Sequence, residues 1–376
     1  MPTRGTVATG ESTRIRVLFV TPYPHTAADT RHRIEQFLPG LRDAGIDGEL
    51  RPFMSERMFA LYAAPGRLPR KLGETVVGVV GRLRDIVEAR RFDCVFIHKE
   101  AFAFGPPLLE WALRASCRGP LLLDLDDAFW THPPQFRQIG RRLRDPQKTA
   151  KLLRLASAVV AGNRRIADAV RPLNPAVTVI PTSIDTERFR PRVRSQPRTV
   201  TIGWVGAWWS AVYLQPLVPV FRAICDRYPH VTIRIIGAEV GPWEGARLEC
   251  CPWRLETEVE DLQALSIGVM PLDDDEYARN KSGLKLLQYM GVGIPAVASP
   301  VGVNSEIVKN GQNGFLAGDS REWVEMLSAL VEASDLRASI GAAGRRTAVE
   351  EYSLAKALPL LRQVISSAIA ARKAKA

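Results

Sequence analysis

The segment Pro271–Asn304, PLDDDEYARNKSGLKLLQYMGVGIPAVASPVGVN, combines residue types suited to binding an anion. An apolar run, Ile267–Met270, stops at Pro271, and an acidic, polar loop follows. A helical pattern then opens around Ser282-Gly283, with Leu284, Leu287 and Met290 on its inner face, and ends at Gly291 and Gly293. A helix start leaves backbone N–H groups unpaired at the positive end of the helix dipole, an arrangement that suits a phosphate. Lys281 and Lys285 flank that turn and add full charges. A plain βαβ unit with solvated lysines would read the same way.

Other clusters follow apolar runs too. Asp124-Leu125-Asp126-Asp127 closes Leu121–Leu123; carboxylates there can hold a divalent cation against phosphates, orient a substrate, or cap the next turn. His98-Lys99-Glu100 follows Cys94–Ile97, leaving open acid–base work by Glu100 or a local ion pair with Lys99. In Thr30-Arg31-His32-Arg33, ahead of a helix, Arg31 and Arg33 are candidates for an anionic acceptor, together with Lys99 and Glu100. Trp208-Trp209 either stack on a sugar or pack between domains. The five histidines lack metal-ligand spacing, and His25 and His132 receive no role. No metal site is expected.

Short apolar runs rich in branched residues recur at Ile15–Thr21, Cys94–Ile97, Leu121–Leu123, Ala158–Ala161 and Val177–Ile180, as in strands buried on both faces. Helical patterns at Arg33–Ala44, Val76–Arg91 and Leu108–Ala115 separate them. A second series has strands at Val200–Val205, Val231–Ile236, Ile267–Met270 and Ala296–Ala298, with helices at Leu214–Tyr228, Glu258–Leu265, Gly283–Gly291 and Glu322–Ala333. This alternation predicts an α/β protein of two doubly wound, Rossmann-like domains facing each other across a cleft. The boundaries are 1–190 for the first domain, 191–198 for a basic, proline-bearing linker, and 199–350 for the second domain. Residues 351–376 should form a helix that crosses back to the first.

At 376 residues, 46% apolar and 24% charged, the chain has the balance of a globular protein of two or three domains. No apolar run approaches the ~20 residues of a spanning helix, and the polar amino terminus reads as a frayed tail rather than a signal peptide. A cytoplasmic location is expected. The five cysteines include no CxxC pair, as for buried free thiols in a reducing compartment. The net charge is +11, and residues 1–200 hold 33 of the 51 basic residues against 20 of the 40 acidic ones. Such a half attracts a phosphorylated acceptor, nucleic acid or an anionic membrane. No recognition-helix motif supports nucleic acid. Met58–Leu72, which mixes apolar and basic residues around Pro65-Gly66, is the candidate membrane contact.

The Pro271–Asn304 segment resembles the donor site of the retaining glycosyltransferases of family 4. The likeness continues through Glu306-Ile307-Val308, Gly311–Leu316 and Tyr352-Ser353-Leu354, and covers Ala156–Asn163 and Val179–Phe189. It implies a GT-B fold, no metal or other cofactor, and a nucleotide-diphosphate sugar as co-substrate. Where the family carries two glutamates with seven residues between them, this chain has Asn280 and Gln288; the family's basic residues after the first strand of its second domain are absent from Gly206–Leu214. Both amides can still bond hydroxyls. The resemblance implies that Ser282, Gly283, Leu284, Lys281 and Lys285 hold the leaving diphosphate, with Lys285, Asp126 and Asp127 as catalytic candidates. Gln288 would reach the ribose, Asn280 the sugar, Trp253 the base, and Gly206 and Trp208 would line the diphosphate. The metal-dependent, single-domain GT-A reading of the Asp124–Asp127 cluster conflicts with two domains. The expected function is transfer of a sugar, with retention, to a lipid-linked or phosphorylated acceptor at the inner face of a membrane, as in surface polysaccharide or glycolipid synthesis. The rival is a non-catalytic nucleotide-sugar-binding scaffold.

Overall fold

Runs of branched residues with no exposed face become the inner strands of two parallel sheets. The computed structural model describes residues 14–63, 66–128, 130, 143–192 and 199–374. Residues 1–13, most of the expected linker (193–198) and His132 lie outside them. The first sheet has β1 (Ile15–Thr21), β2 (Ile46–Pro52), β3 (Cys94–His98), β4 (Leu121–Leu125), β5 (Ala158–Ala161) and β6 (Val177–Val179), in the order β2-β1-β3-β4-β5-β6. The second has β7 (Val200–Val205), β8 (Val231–Ile236), β9 (Leu248–Cys251), β10 (Ile267–Met270), β11 (Ala296–Ala298) and β12 (Phe315–Leu316), in the order β12-β11-β10-β7-β8-β9. Every strand pair is parallel. The two doubly wound domains expected from the alternation are therefore present.

In each sheet the strand order reverses once, between β1 and β3 and between β7 and β10. Successive connections leave in opposite directions there, so a crevice opens at the carboxyl ends, where ligands of such sheets bind. Tyr289 braces the second crevice: its buried hydroxyl accepts from the Val205 N–H at 3.1 Å and donates to the Val269 carbonyl at 3.3 Å. Its ring lies 2.4 Å from where a Cβ on Gly268 would sit, so only glycine admits it. Tyr289→Phe strands the buried Val205 N–H and should lower the unfolding free energy by about 1–3 kcal/mol, measured by urea denaturation.

Three departures from the sequence reading have local causes. The helix expected over 33–44 starts earlier and breaks, running Ala28–Arg33, a 3-10 turn Glu35–Phe37, then Leu38–Asp43. Pro39, which lacks an N–H, sits in the first turn of the last piece. The helix expected over 214–228 is 3-10 from Trp208 to Leu217, with Pro216 inside, and α-helical only over Val218–Arg227. Phe189, expected at the end of the first domain, packs with the second. It is buried in that domain's core, and its carbonyl accepts from Arg345 at 2.6 Å.

The chain crosses between domains twice, side by side. Ile184 N–H donates to the Tyr352 carbonyl at 3.0 Å, and Leu354 N–H donates back to Ile184 at 2.9 Å. The last helix, Leu354–Lys373, then buries Leu361, Ile365 and Ile369 in the core of the first domain. By length and composition it could span a membrane, contrary to the sequence expectation, yet its apolar side is built into that core.

Candidate active site

Gly206, directly after β7, and Gly237, after β8, bring two backbones together: a Cβ on Gly237, at φ +90°, would lie 2.5 Å from the Gly206 carbonyl and 3.1 Å from the Trp253 Cβ. The loop after β10 forms the other side. It holds the short helix Glu276–Arg279, then Gly283 at φ +74°, which caps helix Leu284–Gly291. A side chain on Gly283 would collide with Val303 and Ile307. This helix's capping residue is a glycine and offers no side-chain acceptor, so among the described residues no cap bond covers its first N–H groups.

Lys285 reaches from that first turn over the Trp204 ring, 5.2 Å from its centroid. A Cβ on Gly206 would lie 2.9 Å from the lysine's Cε. Lys281 lies 4.6 Å from the Tyr277 ring centroid and 5.8 Å from that of Tyr213. Among the described residues neither ammonium makes an ion pair. Burial and then the charge of Lys281 push the Lys285 amine down to about 7, while Asp127 partly opposes the shift. The basic charge missing from the loop after β7 thus approaches Gly206 from the neighbouring helix.

The facing wall comes from the first domain's own reversal. Lys99, just past β3, holds φ +61°, a strained conformation for a side chain of that size. It is fixed by its N–H bond to the Asp124 carbonyl at 2.8 Å. Its ammonium pairs with Asp29, with Asp126 at 3.1 Å and with Asp127 at 3.9 Å. His98 Nδ1 sits 2.7 Å from Asp124, and its Nε2 3.8 Å from Asp126. Burial would raise Asp124, but Arg33 and His98 hold it down at about 2. Burial and the Asp126 charge push Asp127 up to about 6 against the pull of Lys99 and Lys281. One Asp127 oxygen, Oδ1, is buried without a hydrogen-bond partner. Ligand atoms of Asp29, His98 and Asp126 lie within 4.8 Å of one another, a spacing a metal could use, but the Lys99 ammonium already pairs with both carboxylates.

The domains therefore bring Lys281, Ser282, Gly283, Leu284 and Lys285 opposite Lys99, Asp126 and Asp127. Asn163, after β5, closes the gap with a 3.3 Å bond from its amide to the Asn280 carbonyl. Three acceptor candidates are placed elsewhere. Arg33 is buried against Asp124 and the Ile180 carbonyl. Glu100 is held by Arg144 at 3.0 Å, not by Lys99. Arg31 spans the domains, paired through both terminal nitrogens with Glu258 at 2.8 and 3.0 Å, and stacks over Trp253. Beside it His32 is neutral, its imidazole pushed down to about 3 by burial and Arg31.

Gln288 is buried and donates to Glu258 at 3.2 Å, and Arg188 pairs with the same carboxylate at 2.9 Å. Asn280 donates its own amide back to the Glu276 carbonyl at 2.7 Å. Trp208 is 47% exposed, edge-on to Trp209. Sequence reasoning gave no role to Asp29, Tyr23, Tyr277 or Glu258, although Asp29 adjoins the Thr30–Arg33 cluster, Tyr277 lies within Pro271–Asn304, and Glu258 opens the helix that follows the Trp253 loop.

Residues 199–333 match the family model described as glycosyl transferases group 1. The second domain is that of a group 1 glycosyltransferase. The chain is 24% identical over 392 residues to the sulfoquinovosyl transferase of Arabidopsis thaliana, an alignment covering 89% of the chain and 70% of that protein. Among solved structures, HepE of Anabaena, crystallised with UDP and glucose, superposes with a TM-score of 0.67 at 16% identity, covering 94% of this chain and all of that one. A sucrose-phosphate synthase from Thermosynechococcus elongatus gives 0.68 at 14% identity, covering 95% of this chain and 100% of that one. Likeness at these identities establishes the fold, which is GT-B.

Proposed function

We propose that this glycosyltransferase takes a sugar from a nucleotide-diphosphate donor and places it, with retention, on an acceptor hydroxyl. The observation that carries the reading is a pair of ammonium groups, Lys281 and Lys285, that make no ion pair among the described residues and stand at a helix start without a side-chain cap, opposite Asp126 and Asp127. Positive charge and free N–H groups there match the charge that develops on a departing diphosphate. The HepE complexes with UDP and UDP-glucose support a donor of this class.

In this reading the bond between the anomeric carbon and the phosphate oxygen breaks as the acceptor oxygen bonds that carbon on the same face. The acceptor proton passes to the departing phosphate oxygen, and Asp127 orients the acceptor. Lys285 with the Gly283 and Leu284 N–H groups holds the leaving group. Lys99 supplies the cation among the carboxylates, so the reaction runs without metal or other cofactor. The positive balance of residues 1–200 fits a phosphorylated or lipid-linked acceptor at the inner face of a membrane, as in polysaccharide or glycolipid assembly. The protein would then be cytoplasmic and membrane-peripheral.

A thermal-shift series with UDP, other nucleoside diphosphates and their sugar conjugates tests the donor site. A matching ligand at about 100 times its Kd should add ~2.7 kcal/mol of stability. Release of nucleoside diphosphate from the donor that binds would then demonstrate turnover. If no member of the series raises the melting temperature, the donor site is wrong. Binding without turnover across acceptors would make the protein a sugar-nucleotide-binding scaffold.

A further inference from the structure

Helix Leu68–Glu88 is amphipathic the wrong way round for a helix of a soluble core. Its buried side carries Arg82 and Asp85, while Leu68, Leu72, Val76, Val80, Leu83 and Val87 are each 50–64% exposed. Steps of three and four residues put these six on one arc of the outward face. The inward polar residues account for this inversion. Arg82 donates to the carbonyls of Thr21 at 3.1 Å, Arg51 at 3.0 Å and Ala101 at 3.2 Å, and pairs with Asp85 at 2.7 Å. It pins the helix to the carboxyl-end rim of the first sheet, the rim that faces the cleft. The neighbouring helix Leu108–Ser116, which packs against it, also exposes Leu108 and Trp111.

We infer that this face docks on an anionic lipid surface, with the apolar arc in the acyl–headgroup boundary. The charges around it carry that choice of occupant. The helix's acids are engaged by protein groups: Glu74 by Ser55 and Arg57, Asp85 by Arg82, and Glu88 by Arg51 and Arg84. Arg67 and Arg70 at one end and Arg90 and Arg91 at the other are exposed. An apolar face between clusters of positive charge is complementary to acidic headgroups, whereas pairing with a second copy would set like charges against each other. The proposed face, residues 68–87, shares only residues 68–72 with Met58–Leu72. There, Leu61 is buried, Met58 and Phe59 are half-buried, and residues 64–65 lie outside the described structure. This inference stands without the sugar-transfer reading.

The test is co-sedimentation of the full chain with vesicles of phosphatidylcholine alone or with about 30% phosphatidylserine. Binding should appear on the anionic vesicles and weaken with added salt. The triple variant Leu72→Ser, Val76→Ser, Val80→Ser should reduce the bound fraction at least tenfold. Its melting temperature, which a misfolded variant could not preserve, should stay close to that of the parent. Failure of the parent to bind anionic vesicles, or equal binding by the folded triple variant, overturns the inference. So does light scattering that shows the parent to be a dimer and the variant a monomer, because the face would then cover a second copy.

Discussion

Lys285→Ala should lower kcat by about 10²–10³, the usual loss when one group that stabilises a developing oxyanion is removed. No second cation can replace it where it stands, because the loop from Gly206 to Leu214 contains no basic residue. Lys281 sits against Tyr277 and Tyr213 instead. The signature is pH-dependent. With its amine at about 7, Lys285 in the free protein loses its charge as pH rises past neutrality. A diphosphate prefers the ammonium, so binding takes up a proton, and affinity should fall toward tenfold per unit above pH 7. Titration calorimetry at pH 6.5 and 8.5 in buffers of different ionisation enthalpy reads both the affinity and the proton uptake. In Lys285→Ala that part of the pH dependence should vanish. An unaltered pH profile in the variant would remove Lys285 from the diphosphate site. The effect on stability has the opposite sense. Because the unfolded chain holds this proton up to a higher pH, the group's contribution to the ligand-free fold becomes more favourable as pH rises through 7.

Glu258→Ala should be the most damaging single change to the coupling of the two domains. The carboxylate, 2% exposed, receives Arg31 from the other domain, Arg188 from the crossing segment and Gln288 from the helix of the donor site. Removing it leaves the Arg31 guanidinium buried and unpaired between the domains, a situation that costs about 3–5 kcal/mol. Burial alone would raise the Glu258 carboxyl, but Arg31, with help from Arg188, holds it below its ordinary range. Its contribution is thus present at neutral pH and is lost as pH falls through that lowered value. The variant should show a larger radius of gyration by small-angle scattering and separate melting of the two domains by calorimetry. Glu258→Gln, which keeps a hydrogen-bonding group for Arg31, should lie between variant and parent. A single, unshifted transition in Glu258→Ala would show that the domains dock by other means.

The chain itself specified the inner strands β1, β3, β4, β5, β7, β8, β10 and β11. A strand covered on both faces must be a continuous apolar run, which stands out in a sequence. Three of the four sheet edges, β2, β9 and β12, escaped notice because an edge strand is half-buried: IDGELRP and LECC carry no such run. Helix Leu284–Gly291 and its capping Gly283 were also legible, since a helix start depends on a few adjacent residues.

What the sequence could not give was the partner of each charge. Arg31 and Glu258 are 227 positions apart, and Arg33 and Asp124 are 91 apart. Both arginines looked like free cations for an acceptor, and both are consumed by buried carboxylates. Lys285 was placed with Gly206 at the diphosphate only by the family resemblance; that its side chain lies over the Trp204 ring was set by the fold. Strand and helix preferences are settled by neighbours along the chain. The pairing of buried charges is settled by which surfaces the folded domains press together, because the low dielectric there makes an unmatched charge intolerable.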